Sequence, residues 1–360
     1  MSLERAIRAA EDPERAARDA GLRYVLDDAP GITRKRSGKG WSYYDAKGRL
    51  IGDRRERERL NRLAIPPAWT EVWINPRPDG HLLATGRDSE GRKQYRYHPD
   101  WRAIRDEAKY ARLVPFGRAL PRIRARVDED LGRTGLPREK VLGTVVRLLE
   151  LSLIRVGNDE YARLNGSYGL TTMRDRHVEL EGARIRFEFR GKGGKRHEIH
   201  VLDRRLARIV RQCRDVPGYE LFQYYDEEGE KRSVGSAEVN DYLREIGEDD
   251  FTAKDFRTWA GTLQAAGSLL ECEPCANARE GRMRINAAAT LVAERLGNTP
   301  AICKACYIHP AIFDLYLEGS LAEHLGSVRK RGRRTRVDGL SAEERALLTL
   351  LEKVHRADGL

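Results

Sequence analysis

The strongest constraint on the fold of this chain is a change of hydrophobic period near Trp101. Before it, short segments such as LRYVLDD and AWTEVWINP have strand character and are separated by turn residues. Asp45-Ala46-Lys47-Gly48 and Ser89-Glu90-Gly91 read as tight turns. A polar amphipathic helix over residues 1–20 and the piece RERERLNRLAIPP are the helical exceptions. After Trp101, apolar residues recur three and four apart, as in Leu142, Val145, Val146, Leu149 and Leu153. KDFRTWAGTLQAA and RINAAATLVAERLG continue the helical reading. One island of alternation interrupts it: HVELEGARIRFEFRGKGGKRHEIHVLD flanks Gly191-Lys192-Gly193-Gly194, the signature of a strand pair closed by a hairpin turn. The expectation is an α+β domain with an antiparallel sheet over residues 1–102. A mainly α-helical domain with one β-hairpin follows over 103–327, then a basic tail and short helix over 328–360.

A chain of 360 residues can build two such cores. Its 67 lysines and arginines outnumber 56 acids, giving a net charge of +11. That balance favours a polyanionic partner, nucleic acid before an acidic membrane surface. No run approaches the roughly 18 apolar residues of a membrane span. The first twenty residues mix acids and bases without an apolar signal core, and the cysteines number five, an odd count. A reducing cytoplasm is the expected location.

The stretch Leu296 to Pro310, LGNTPAICKACYIHP, closes a helical run on one tyrosine, Tyr307. A tyrosine that cuts a phosphodiester needs partners. Fixed donors must meet the charge growing on the phosphoryl oxygens, a task that suits the planar guanidinium fork. The leaving oxygen needs a proton from a general acid, a task open to a lysine whose pKa neighbouring cations lower. Arg155 in IRVGNDEYA, Lys192 at the hairpin tip, and Lys254 with Arg257 in KDFRTWAGT are candidates. Taken singly, each is one cation among 67, and most of those belong to a solvated surface.

Several long motifs, in order, make the pattern specific. GITRKR, IPPAWTEVWI, GRDSEGRKQYRYHP, RVGNDEYARLNGSYGLTTMRDRHV, FRGKGGKRHEIHV, DFTAKDFRTWAGT and LGNTPAICKACYIHP resemble the type IB DNA topoisomerases, in the compact poxvirus-like form also found in bacteria. The resemblance runs from Gly31 to about Tyr316. It implies a C-shaped clamp around duplex DNA whose catalytic domain is of the topoisomerase IB/tyrosine recombinase type. It implies a nucleoid-associated monomer that relaxes supercoils through a 3′-phosphotyrosyl intermediate, with no ATP, divalent metal or membrane required. On the family's motif, the two site arginines fall on Arg155 and Arg257, the hairpin lysine on Lys192, an accessory lysine on Lys254 and the nucleophile on Tyr307. Tyr161 marks the first arginine's motif and is expected at the DNA. Nine residues before the nucleophile, where the viral enzymes have histidine, this chain has Asn298. Its amide can donate a hydrogen bond but carries no charge.

In the first domain the resemblance assigns DNA contacts to Gln94, Tyr95 and Tyr97. Tyrosines two apart on a strand share a face, and Arg92, Lys93 and Arg96 are read as lying beside them. Cys272-x-x-Cys275 and Cys303-x-x-Cys306 form a pattern that can hold zinc, although the family's chemistry needs no metal. Arg329 to Arg336 is read as a non-catalytic basic run that adds non-specific affinity for DNA. A tyrosine site-specific recombinase is the nearest rival reading. That family usually has His-x-x-Arg where this chain has Lys254-x-x-Arg257, and histidine or tryptophan at the place of Asn298. A basic DNA-binding protein with a dead site is the second rival.

Overall fold

Turn residues cut the first part of the chain into short antiparallel strands. The computed structural model describes residues 12–38, 40–89, 91–325 and 338–357. The chain divides into two compact units, Met1–Ala111 with His355–Leu360, and Arg112–Val354.

In the first unit, α1 (Pro13–Asp19) begins on Asp12, whose carboxylate accepts the Arg15 N–H, with Pro13 in the first turn. The rest of the helix expected over residues 1–20 lies largely outside the described residues. β1 (Thr33–Ser37) and β2 (Gly40–Tyr44) form a hairpin. β3 (Thr70–Ile74), β4 (Leu82–Arg87) and β5 (Lys93–Tyr97) form an antiparallel sheet in that order. Between the hairpin and this sheet in sequence runs α2 (Arg54–Arg62), which is charged except for Asn61 and the buried Leu60. Leu60 joins Ile32, Tyr43, Ile65, Val72, Ile74 and Ala84 in one core. A second small core gathers Ala16, Ala17 and Leu22 around Trp101, the third residue of α3 (Pro99–Ala111).

In the second unit, α4 (Leu113–Leu131) packs on α5 (Arg138–Ser152). α5 is central because Val141, Leu142, Val145, Val146, Leu148 and Leu149 leave it apolar on most sides, and all six are buried. After α6 (Asp159–Asn165), the expected strand pair is instead a three-stranded antiparallel sheet of β6 (Val178–Glu181), β7 (Arg184–Arg190) and β8 (Arg196–Leu202). The extra strand arises at Gly182, whose φ of 57° lets the chain turn back at once. Next come α7 (Arg204–Arg214), the hairpin β9 (Gln223–Tyr225) and β10 (Lys231–Ser233), and α8 (Ser236–Gly247). The remaining helices are α9 (Ala253–Leu270), α10 (Ala278–Leu296), α11 (Pro300–Cys306), α12 (Pro310–Leu317), α13 (Leu321–Leu325) and α14 (Ala342–Ala357). The basic run Arg329 to Arg336 lies outside the described residues.

Candidate active site

Arg257 sits on α9 with 4% of its surface exposed. Its Nη1 donates to the carbonyl of Leu153, just past α5, and its Nη2 donates to the carbonyl of Leu296 at 2.7 Å, the last residue of α10. Helix C-termini carry unpaired carbonyls and partial negative charge. The buried guanidinium is thus held by two helix ends and no carboxylate. Leu153 adopts a left-handed φ of 56°, uncommon for a residue with a side chain, and thereby closes α5. Burial, then the nearby Arg155, push the Arg257 pKa down to about 10. The Nε of Arg257 is buried and has no hydrogen-bond partner.

Arg155 follows Leu153 in the loop between α5 and α6, and its Nη2 donates to the side-chain oxygen of Asn298. Burial holds its pKa below the usual arginine value. Asn298 comes directly after α10, where Gly297 takes a φ of 61° and the Asn298 N–H reaches back to the carbonyl of Ala293 at 2.9 Å. With its oxygen on Arg155, Asn298 directs Nδ2 elsewhere, and that nitrogen is buried without a partner. Asn298 does not cap the next helix. Thr299 does, its hydroxyl accepting the Ile302 N–H at 3.3 Å. Among the described residues, neither Arg155 nor Arg257 is paired with a carboxylate.

Tyr307 terminates α11, and the Arg257 guanidinium lies 5.3 Å from its ring centre. Its backbone is held by α9. A Cβ placed on Gly261 would stand 2.5 Å from the Tyr307 carbonyl oxygen. One residue on, the Thr262 hydroxyl accepts the His309 N–H at 3.1 Å. The sequence reading gave Gly261 and Thr262 no role. The only clue was a glycine inside a helix, where it costs about 1 kcal/mol relative to alanine.

Lys192 occupies the turn between β7 and β8, where Gly193 and Gly194 have φ of 75° and 73°. With Arg155, Arg257 and His197 it lines one small cavity. Arg155, Lys192, Arg257, Asn298 and Tyr307, drawn from distant parts of the chain, are therefore neighbours. Lys254 is exposed one helical turn before Arg257. Among the described residues no hydrogen bond or ion pair joins its ammonium to the cluster. Tyr161 is 37% exposed on α6.

On β5, the tyrosine rings stack with centres 5.9 Å apart but divide their roles. Tyr95 is 47% exposed, whereas Tyr97 packs toward the Trp101 core. The neighbouring polar side chains are engaged. Lys93 pairs with Asp27 at 2.6 Å, while Arg92 and Gln94 reach Asp88 at 2.8 and 2.9 Å. Arg96 pairs with Ala84 and lies on the opposite face from the rings.

Cys272 and Cys275 precede α10, whereas Cys303 and Cys306 lie on α11. Among the described residues no three metal-ligating side chains converge. Burial pushes the Cys303 thiol up to about 11.

A tyrosine flanked by two unpaired arginines, an amide and a hairpin lysine is a cluster suited to phosphoryl transfer. The family of the eukaryotic DNA topoisomerase I catalytic core matches residues 98–319, and that of the bacterial DNA topoisomerase IB N-terminal domain matches residues 40–88. The DNA topoisomerase 1B of Acanthamoeba polyphaga mimivirus is 31% identical over 293 residues, covering 79% of this chain and 87% of the viral protein. The DNA topoisomerase I of Monkeypox virus is 22% identical, covering 72% and 81%. The DNA topoisomerase 1 of Rabbit fibroma virus is 24% identical, covering 71% and 80%. The chain belongs to the type IB DNA topoisomerases and is an isomerase acting on DNA topology. Among the described residues, no helix is long and apolar enough to cross a membrane.

Proposed function

We propose that this enzyme relaxes supercoiled duplex DNA by cutting and resealing one strand through Tyr307. The Tyr307 phenol loses its proton to solvent, and its oxygen bonds to phosphorus as the bond to the 5′ oxygen breaks. The products are a 3′-phosphotyrosyl linkage and a 5′-hydroxyl. Arg155, Arg257 and the Asn298 amide donate to the non-bridging oxygens, where charge develops. Lys192 supplies the proton taken up by the leaving oxygen, with Lys254 in an accessory place. One phosphodiester is exchanged for another, so resealing needs no ATP, and the arginines and lysine take the charge-stabilising and proton-donating parts that a divalent metal would otherwise play.

The observation that carries this reading is the pair of unsatisfied donors, Arg257 Nε and Asn298 Nδ2, beside Tyr307 with no carboxylate to quench them. Five guanidinium donors and two amide donors are available, and only some are used within the chain. The test is relaxation of a supercoiled plasmid without ATP or magnesium. Wild type should relax it, whereas Tyr307→Phe should bind DNA without cleaving it. Recovery of a covalent protein–DNA adduct from Tyr307→Phe would remove Tyr307 from the reaction.

A further inference from the structure

His197 lies on β8, yet its imidazole occupies space that belongs to two turns. It stacks on Phe189 of β7 with ring centres 5.1 Å apart and planes 16° from parallel. A Cβ on Gly191 would stand 2.6 Å from the His197 Cδ2. A Cβ on Gly297 would overlap its Cε1. Gly191 immediately precedes Lys192, and Gly297 immediately precedes Asn298. Both glycines therefore leave room for this one ring, and only Gly297 also needs glycine for its backbone angle. Among the described residues, His197 makes no side-chain hydrogen bond, so its contacts are those of shape. Burial first, then Arg155, Lys195 and Arg257, hold its pKa below the usual histidine value.

We propose that His197 is a positioning residue, a wedge that fixes the Lys192 turn against the Asn298 turn so that the ammonium reaches the leaving oxygen. The inference rests on Lys192 being the proton donor. With a small residue at 197, the base of the hairpin turn loses its stop. Lys192 then spends less time in reach, while Arg257 keeps the carbonyls of Leu153 and Leu296, Asn298 keeps its N–H on the Ala293 carbonyl and its oxygen on Arg155, and Tyr307 keeps its hold on α9.

The experiment is single-turnover cleavage of two duplexes bearing a mapped cleavage site, one with the normal 5′ oxygen and one with 5′ sulfur as leaving atom. A thiolate leaves without a proton, so the sulfur duplex bypasses the acid. His197→Ala should cleave the oxygen duplex more slowly by a factor on the order of 10², the scale of a 1 Å misplacement. It should cleave the sulfur duplex at close to the wild-type rate. His197→Phe, which restores a flat ring, should recover most of the loss on oxygen. If His197→Ala is equally slow on both duplexes, or equals wild type on both, while Lys192→Ala is rescued by sulfur, the wedge is overturned and the acid stands. If sulfur fails to rescue Lys192→Ala, the acid assignment falls and the wedge with it. Should His197→Ala fail to fold, His197→Gln, which lacks the ring, carries the same comparison.

Discussion

Two arginines of the second unit are buried to nearly the same degree, Arg124 at 6% exposure and Arg257 at 4%. Arg124 on α4 meets carboxylates on two sides. Its Nε reaches Glu150 at 2.7 Å, and its two Nη atoms grip Glu344 at 3.0 and 2.6 Å. Burial alone would lower its pKa, yet the bonds to Glu344 and the charge of Glu150 raise it. Arg257 has carbonyls and a neighbouring cation instead, and its pKa falls. One site has spent its charge on joining α4 to α5 and α14. The other, among the described residues, meets no carboxylate. The contrast shows that two equally buried guanidiniums can have opposite surroundings and opposite pKa directions.

Removing each arginine should separate the two roles. Arg257→Ala is expected to lower the cleavage rate by at least about 10²–10³, the loss seen for one transition-state donor, with a modest change in melting temperature. Arg257→Lys should not restore it, since an ammonium cannot span two carbonyls and a phosphate as the fork does. Arg124→Ala should do the reverse. It removes the buried cation shared by Glu150 and Glu344 and should cost about 3–5 kcal/mol of stability, read by urea denaturation, while the folded fraction cleaves at the wild-type rate. An Arg124→Ala enzyme as stable as wild type would break the comparison.

Asn298 allows the functional site to be converted into the structural kind. Asn298→Ala should slow cleavage by up to roughly 10², because one neutral donor is lost. Asn298→His should retain substantial activity through its ring N–H. Asn298→Asp keeps the acceptor for Arg155 but makes it a carboxylate. It should melt higher than Asn298→Ala and cleave more slowly, since it pairs the cation and repels the phosphate. Equal rates for all three variants in single-turnover cleavage would place Asn298 outside the chemistry. The smallest effect concerns ligand-free protein. Inorganic phosphate at ten times its dissociation constant should stabilise wild type by about 1.4 kcal/mol, measured by melting against chloride at matched ionic strength. Asn298→Asp should lose that shift.

The sequence made some of these features legible and hid others for physical reasons. The Lys192 turn was readable because four residues between two alternating runs define a hairpin locally. The extra strand β6 was hidden because its turn, at Gly182, is shorter than the one that drew attention. β9 and β10 have three residues each, too few for a period to emerge. The bond from Arg155 to Asn298 spans 143 positions, and only the resemblance put both residues in one site. The support of Arg257 had no signature at all, since any residue supplies a carbonyl.

Helix α9 carries Arg257 and, one turn later, Gly261 against the Tyr307 carbonyl. In mechanical terms, the cation and the nucleophile's backbone are gauged from a single rod, about 6 Å apart along its axis. Such a jig leaves little accumulated error between tool and workpiece. In the proposed reaction, the strand end joined to Tyr307 stays registered to Arg257 while the other end swivels. Resealing then requires only the return of the free hydroxyl, because the half of the joint held by the protein has never left its fixture.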